Sequence, residues 1–150
     1  MADARAVKAT PLRIDGSCHC GILRFVLDWT GPVHPLPARA CGCSFCQKHG
    51  GVWTAHPDAS LQLRVGDPAL HRRYRFGSGT ADFHLCGRCG GVPFVTSVIE
   101  DREFAVVNVR AFDRFDAGTL SIAAADFDGE EADVRLVRRK QRWIGQVRWL

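Results

Sequence analysis

Apolar and polar residues alternate along many short stretches of this chain. In the run ILRFVLDW at residues 22–29, Leu23, Phe25, Leu27 and Trp29 fall on one side and the charged residues on the other. This period of two predicts a strand with one buried face. Runs of the same kind, separated by turns rich in glycine and proline, occur at residues 61–65, 70–76, 92–99, 104–109, 120–127 and 134–137. The pattern therefore predicts a mainly β fold.

One short segment has helical features instead. Ser44 belongs to the residue types that cap helices, the run FCQKH follows it at residues 45–49, and Gly50 is placed to end a helix. We therefore expect one or two short helical turns within a compact β-sheet fold.

The length of 150 residues is that of one domain. Residues 1–11 end at a proline and carry no strand or helix pattern, so we interpret them as a flexible N-terminal tail. Residues 12–150 contain no internal repeat, low-complexity tract or linker that would divide them. We expect this segment to form a single domain.

The composition favours a reducing compartment. Residues 1–10 lack the apolar core of a secretory signal, and no apolar run approaches the about 18 residues of a membrane helix. The seven cysteines are odd in number and clustered, which favours reduced, metal-bound thiols over disulfides. We therefore expect a cytoplasmic location.

The net charge of +4 allows an anionic small molecule as a partner and does not by itself indicate nucleic acid.

The cysteines fall in three short blocks. Residues 41–46 read CGCSFC, so a single loop brings three thiols together, and residues 86–91 read CGRCGG, the signature of a zinc knuckle. Residues 18–20 read CHC and need partners from elsewhere. A lone CxxC also has a redox interpretation, but that interpretation expects a strand-to-helix context, and glycines with strand-like residues follow here.

Seven thiols divide naturally into four and three. Because the loop at 41–46 already supplies three sulfurs to one centre, we expect the cysteines of the other two blocks to form a second centre together. The closed set is then Cys18, Cys20, Cys86 and Cys89, and the open set is Cys41, Cys43 and Cys46. Spacing alone also permits residues 18–20 to pair with residues 41–43, so counting leaves the partition open.

The three blocks together resemble the glutathione-dependent formaldehyde-activating enzyme family. The similarity covers about residues 14–112 and rests on GSCHCG at 16–21, on CGCSFC at 41–46 with Gly50 after it, and on CGRCG at 86–90. It implies an Mss4-like β fold and two zinc ions per chain. Gly42 departs from the family pattern, in which histidine is often found, and residues 113–150 match no family signature.

The resemblance also implies roles for the cysteines and an activity. Cys18, Cys20, Cys86 and Cys89 would hold a structural zinc, and Cys41, Cys43 and Cys46 a catalytic one. The family joins formaldehyde to glutathione as S-hydroxymethylglutathione, which is a carbon–sulfur lyase reaction in reverse. The small-molecule partners implied are therefore a thiol such as glutathione and an aldehyde.

The donor set itself favours sulfur chemistry. Three thiolates donate strongly to zinc, so the ion acidifies a bound water less than a three-histidine site would. A soft, sulfur-rich centre suits another sulfur in its fourth position, and a substrate thiol bound there becomes a nucleophile for an aldehyde carbon. Lys48 and His49 are the nearest candidates for binding substrate carboxylates, and Arg39 and Arg88 are weaker ones.

Two alternatives remain open. A histidine could close the second zinc and make it purely structural; the candidates are His34, His49, His56 and His84. The protein would then be a zinc-stabilised binding module with a basic C-terminal interaction face formed by the arginines between residues 135 and 148. Nucleic acid is an unlikely partner for that face, because no recognised motif accompanies the basic run and the acidic residues at 130–133 precede it.

Overall fold

The structure is a computed structural model that describes residues 12–31, 35–114, 119–127 and 129–150. The predicted tail at residues 1–11 and the candidate ligand His34 lie outside the described residues. Within these ranges the chain forms eleven strands and two α-helices. In chain order they are β1 (Leu12–Ser17), β2 (Leu23–Trp29), β3 (Leu36–Cys41), α1 (Ser44–His49), β4 (Val52–Thr54), β5 (Ser60–Val65), β6 (His71–Tyr74), β7 (Asp82–Cys86), β8 (Phe94–Ile99), β9 (Arg102–Asn108), β10 (Leu120–Ala125), α2 (Ala132–Arg142) and β11 (Gln146–Trp149).

The strands form two sheets. The small sheet has the order β1-β2-β5-β11, and the large sheet has the order β10-β3-β4-β9-β8-β7-β6. Neighbouring strands are antiparallel except for β10 beside β3 and β11 beside β5, which are parallel. The predicted mainly β fold is therefore confirmed, and most predicted strands lie within a few residues of the observed ones.

The central strands of the large sheet are buried on both faces. On one face, Phe94 and Val107 join a core that also contains Phe25 and Leu63 of the small sheet. On the other face, alternate residues such as Val95 join a second core that includes residues of α1 and α2. The molecule therefore has three layers, the small sheet, the large sheet and the two helices, each boundary held by burial of apolar side chains.

Helix α1 forms where the sequence predicted a helical turn, but its cap differs. The residue at the N-cap position is Cys43, whose sulfur accepts a hydrogen bond from the backbone N–H of Cys46, and Ser44 is the first residue of the helix. Gly50 ends the helix as predicted, with a left-handed φ of 69° that favours glycine.

The predicted strand at residues 134–137 is wrong, because this segment belongs to α2. The error has a physical cause. The helix turns Arg135, Leu136 and Arg139 inward, followed by the buried Trp143, whereas Val134 and Val137 are more than half exposed. Since the inward positions of this helix are largely arginines, a pattern built from apolar residues alone does not detect its period of 3.6.

The hairpin between β8 and β9 turns at residues 100–101. Glu100 and Asp101 both have positive φ, which is the geometry of a tight hairpin turn. In the part of the chain that the structure describes, neither helix has the length and apolar character needed to cross a membrane.

Candidate metal centres

The four-cysteine set forms where two turns from different sheets meet. Cys18 and Cys20 lie in the turn between β1 and β2, Cys86 ends β7, and Cys89 lies in the turn that follows. All four sulfurs lie within 4.8 Å of one another. The sulfur of Cys20 is 3.8 Å from that of Cys18 and 3.4 Å from that of Cys86. A tetrahedral ion with bonds of about 2.3 Å would set its sulfur ligands about 3.8 Å apart, so the spacing fits a zinc ion.

Glycines allow the two turns to approach each other. Gly21 and Gly90 adopt left-handed φ values of 85° and 79°. A side chain on Gly91 would bring its Cβ to 2.9 Å from the Cβ of Cys18, so only glycine fits between the turns without displacement. The set is thus a direct link between the small sheet and the large sheet.

Backbone N–H groups point at the sulfurs of this set. Leu23 donates to Cys18 Sγ at 3.3 Å, and Arg88 and Cys89 donate to Cys86 Sγ at 3.4 and 3.5 Å. Such donors stabilise thiolate charge and are typical of a structural zinc site.

The pKa values of the thiols diverge within the set. Burial raises the pKa of Cys18 to about 11, and hydrogen bonding among the neighbouring thiols adds to the increase. Burial also acts to raise the pKa of Cys89, but the backbone N–H groups of Cys20 and Gly91 outweigh it and lower that pKa to about 6. Crowded thiols retain protons on some sulfurs unless a cation offsets the charge, so this donor set fits a metal ion.

The three-cysteine set lies on the other side of the large sheet. Cys41 ends β3, Cys43 caps α1, and Cys46 is buried within α1; their sulfurs lie within 4.8 Å of one another. The indole N–H of Trp53 on β4 donates to Cys46 Sγ at 3.3 Å, and the backbone N–H of Cys46 donates to Cys43 Sγ at 3.4 Å. The hydrogen bond with Cys41 and then burial raise the pKa of the Cys46 thiol, which again indicates a site built for a cation.

Among the described residues, no histidine or carboxylate joins the three-cysteine set within the same 4.8 Å. His84 has both ring nitrogens engaged, by His71 and by Thr96, each at 2.7 Å. The Nδ1 atom of His56 accepts a hydrogen bond from the backbone of Asp58. The His49 ring stacks on Phe45 with a centroid separation of 4.4 Å. The three described candidates for a fourth ligand therefore lie outside the three-cysteine set.

A cavity of about 490 Å³ opens beside the three-cysteine set. It lies between the large sheet and the helices, and all three cysteines line it. Its apolar wall is formed by Trp53, Phe76, Ala81, Phe83, Val95, Val106, Phe127 and Trp143. Its cationic wall is formed by Arg39, Arg135, Arg138 and Arg139. None of the residues of the four-cysteine set lines this cavity.

The basic residues that we predicted from the sequence to bind substrate do not all lie at the cavity. Arg39, on β3, lines the cavity. Lys48 and His49 are exposed on α1 and do not line it, and Arg88 is exposed in the turn beside the four-cysteine set. A role for Lys48 and His49 in binding substrate stays a prediction.

Sequence reasoning missed the three arginines that α2 contributes to the cavity. The spacing of Arg135, Arg138 and Arg139 was an available signal, since residues three and four apart share one face of a helix. The predicted strand at residues 134–137 hid that signal.

Comparisons with known proteins agree with these features. Residues 13–127 match the model of the family described as glutathione-dependent formaldehyde-activating enzyme. A curated protein of Halomonas elongata, whose name assigns it provisionally to the same activity, is 30% identical over 89 residues. That match covers 55% of this chain and 55% of the relative, so the chain spans about half the length of the relative.

One solved structure has a similar fold. It is the crystal structure of a Rhodobacter sphaeroides protein, 26% identical, with a TM-score of 0.53; the match covers 69% of this chain and 92% of that one. The family match covers more than half of the chain and includes both cysteine sets. The chain belongs to the glutathione-dependent formaldehyde-activating enzyme family.

Proposed function

We propose that this protein is a zinc-dependent enzyme that forms or cleaves the adduct of a thiol and an aldehyde, with a thiol such as glutathione and formaldehyde as its substrates. In this proposal both cysteine sets hold zinc, the four-cysteine set for structure and the three-cysteine set for catalysis. The observation that carries it is the asymmetry of the two sets. The three-cysteine set faces a cavity large enough for a substrate, whereas the four-cysteine set lies at the junction of two sheets.

The reaction needs no oxidant or reductant. The thiol sulfur attacks the carbonyl carbon and forms a carbon–sulfur bond, while the π bond of the carbonyl breaks and its electron pair moves to oxygen. The proton lost by the thiol ends on that oxygen, which gives a hydroxymethyl thioether. Zinc, when bound, supplies a Lewis-acidic position that lowers the pKa of a thiol.

The residues of the chain prepare the site for this chemistry. Cys41, Cys43 and Cys46 would hold the ion, and the Trp53 indole N–H bonded to Cys46 Sγ orients that ligand and moderates its negative charge. The aromatic rings of Phe83 and others on the apolar wall limit the water that reaches the sulfurs. The free thiol state of all seven cysteines suits a reducing compartment such as the cytoplasm.

The alternative is a binding module in which both metals are structural and the basic C-terminal segment contacts a partner. The position of α2 weakens this alternative, because Arg135, Arg138 and Arg139 line the cavity beside the three-cysteine set. Three of the basic residues assigned to that face therefore line a cavity instead.

A test uses protein loaded with cobalt in place of zinc, because cobalt reports its ligands by optical absorption. We expect glutathione to change the sulfur-to-cobalt absorption of the three-cysteine set, and the Cys43→Ser variant to lose that response. S-methylglutathione is the matched control ligand, since it has no thiol and should leave the spectrum unchanged. Faster exchange between labelled formaldehyde and its glutathione adduct, followed by NMR, should accompany the spectral response. Absence of any spectral response to thiols would overturn the proposal.

A further inference from the structure

The arginines of the cavity wall differ in how their charges are balanced. Glu130 forms ion pairs with Arg135 and Arg138, at 3.4 and 3.0 Å. Arg138 also lies over the ring of Phe127, with its Cζ 3.7 Å from the centroid. These two guanidinium groups therefore already have an anionic partner within the protein.

Arg139 differs from them. It is 8% exposed, and its Nη1 donates to the hydroxyls of Thr80 and Ser97 at 2.8 and 3.2 Å, which are neutral acceptors. Its Nε is buried and has no hydrogen-bond partner. The ion pairs formed within the described part of the chain do not include Arg139. Its Cζ also lies 4.9 Å from the centroid of the Trp143 ring, so neutral groups contact this buried charge and no ion pair neutralises it. Burying a cation in this way is costly, and an anionic ligand would reduce the cost.

The guanidinium keeps its charge in this environment. Burial is the main cause that lowers its pKa, followed by the charges of Arg138 and Arg135, and the pKa remains about 10. The group is therefore cationic at neutral pH. Its side chain lines the cavity that contains the three sulfurs, so an anion within the cavity is the missing partner.

We propose that α2 supplies an anion subsite in this cavity, in which Arg139 binds a carboxylate of the substrate thiol and so directs the thiol end toward the three-cysteine set. This proposal deepens the proposed function and rests on it for the identity of the sulfur-bearing end. A guanidinium presents parallel N–H donors that match a carboxylate. Arg39, on the same wall, extends the positive potential.

Helix α2 lies outside the segment that the family model matches. The family match ends at residue 127, and α2 spans Ala132–Arg142. The residues that hold the metal thus lie within the matched segment, and the proposed anion-binding residue lies beyond it. Substrate selection and metal binding are divided between the two parts of the chain.

The test measures the binding of S-methylglutathione, which keeps both carboxylates and has no thiol. Trp53 and Trp143 line the cavity, so tryptophan fluorescence of the metal-loaded protein reports binding. We expect Arg139→Gln to weaken binding by about tenfold or more, because charge-assisted hydrogen bonds are stronger than neutral ones. Arg142→Gln is the matched control: it removes one charge from the same helix at an exposed residue outside this cavity, and we expect a change of less than about twofold in binding.

A second measurement needs no variant, so it remains decisive if Arg139→Gln fails to fold. The wild-type protein should bind the dimethyl ester of S-methylglutathione about tenfold more weakly than the free acid. Equal binding of ester and acid, or equal losses in the two arginine variants, would overturn the anion subsite.

Cobalt absorption separates this failure from that of the proposed function. If glutathione perturbs cobalt with the same affinity in wild type and Arg139→Gln, the subsite fails alone. If S-methylglutathione binding depends on Arg139 and no thiol perturbs cobalt, the proposed function fails alone.

Discussion

The two cysteine sets should respond differently to the loss of one sulfur. Cys86→Ser removes a thiol that is 2% exposed and accepts two backbone hydrogen bonds, at the junction between the two sheets. Cys43→Ser removes a thiol at the start of α1, beside the cavity. We expect the first variant to lose its fold and the second to keep it.

The magnitudes support this contrast. Structural zinc sites contribute apparent free energies of about 10–16 kcal/mol in small zinc modules. The whole unfolding free energy of a domain is about 5–15 kcal/mol. If Cys86→Ser releases the ion, the contribution lost is therefore as large as the whole unfolding free energy. At residue 43, by contrast, serine is itself a favourable helix cap, so we expect a loss within about 1 kcal/mol besides the metal.

Circular dichroism during thermal unfolding and metal analysis of the purified variants measure both effects. Cys43→Ser should show a cooperative transition close to that of wild type and one metal equivalent per chain instead of two. Cys86→Ser should precipitate or lack a cooperative transition. Equal loss of structure in the two variants, or two metal equivalents retained in Cys43→Ser, would refute the division between a structural and a catalytic centre.

Three further changes test parts of the site and its supports. Trp53→Phe removes the donor to Cys46 Sγ, so a chelator should extract metal from the three-cysteine set about tenfold more readily. Gly50→Ala puts a side chain at a φ of 69°, so the free energy of unfolding should fall by about 1–2 kcal/mol in a urea titration. Arg138 holds the pKa of Glu130 below its ordinary value, so this carboxylate stabilises the fold above the ordinary glutamate pKa, and that stability is lost as pH falls through the lowered value. Glu130→Gln should remove this part of the acid dependence of the melting temperature.

Matched controls accompany these variants. Trp143→Phe changes another indole of the same cavity, one that packs against Arg139, and should leave metal extraction nearly unchanged. Gly66→Ala adds a methyl group at an ordinary φ, where the nearest atom would be 3.5 Å away, and should have little effect. Glu131→Gln removes a neighbouring charge that caps no N–H group of α2. A control that matches its partner variant in size of effect would contradict the corresponding explanation.

The strands could be predicted from the sequence because their signal is local. In β2, buried Leu23, Phe25 and Leu27 alternate with more exposed residues in the structure, as the period of two predicted. The helical turn at α1 was also predictable, because the glycine that ends it follows directly. The residue that caps this helix was not predictable. Cys43 caps it through its own sulfur, and Ser44 is the first residue of the helix.

Helix α2 could not be recognised from apolar periodicity. Its inward face carries Arg135 and Arg139, and charged residues rarely occupy a buried face. They are tolerated there because Glu130 balances Arg135, hydroxyls bind Arg139, and a cavity lies beside both. Glu130 lies just before the helix, but Thr80, Ser97 and most of the cavity wall come from distant parts of the chain, which a short window of sequence does not include.

The sequence alone determined the mainly β character of the chain and the ligand type of both centres, because strand alternation and cysteine spacing act over a few residues. Only the tertiary structure decided which blocks of cysteine meet, since Cys18 and Cys86 are distant in the chain and the packing of two sheets brings them together. The same packing placed a cavity beside the three-cysteine set and turned the arginines of α2 into it. Those features depend on how the two sheets and the helices pack against one another, and the order of residues along the chain does not show that packing.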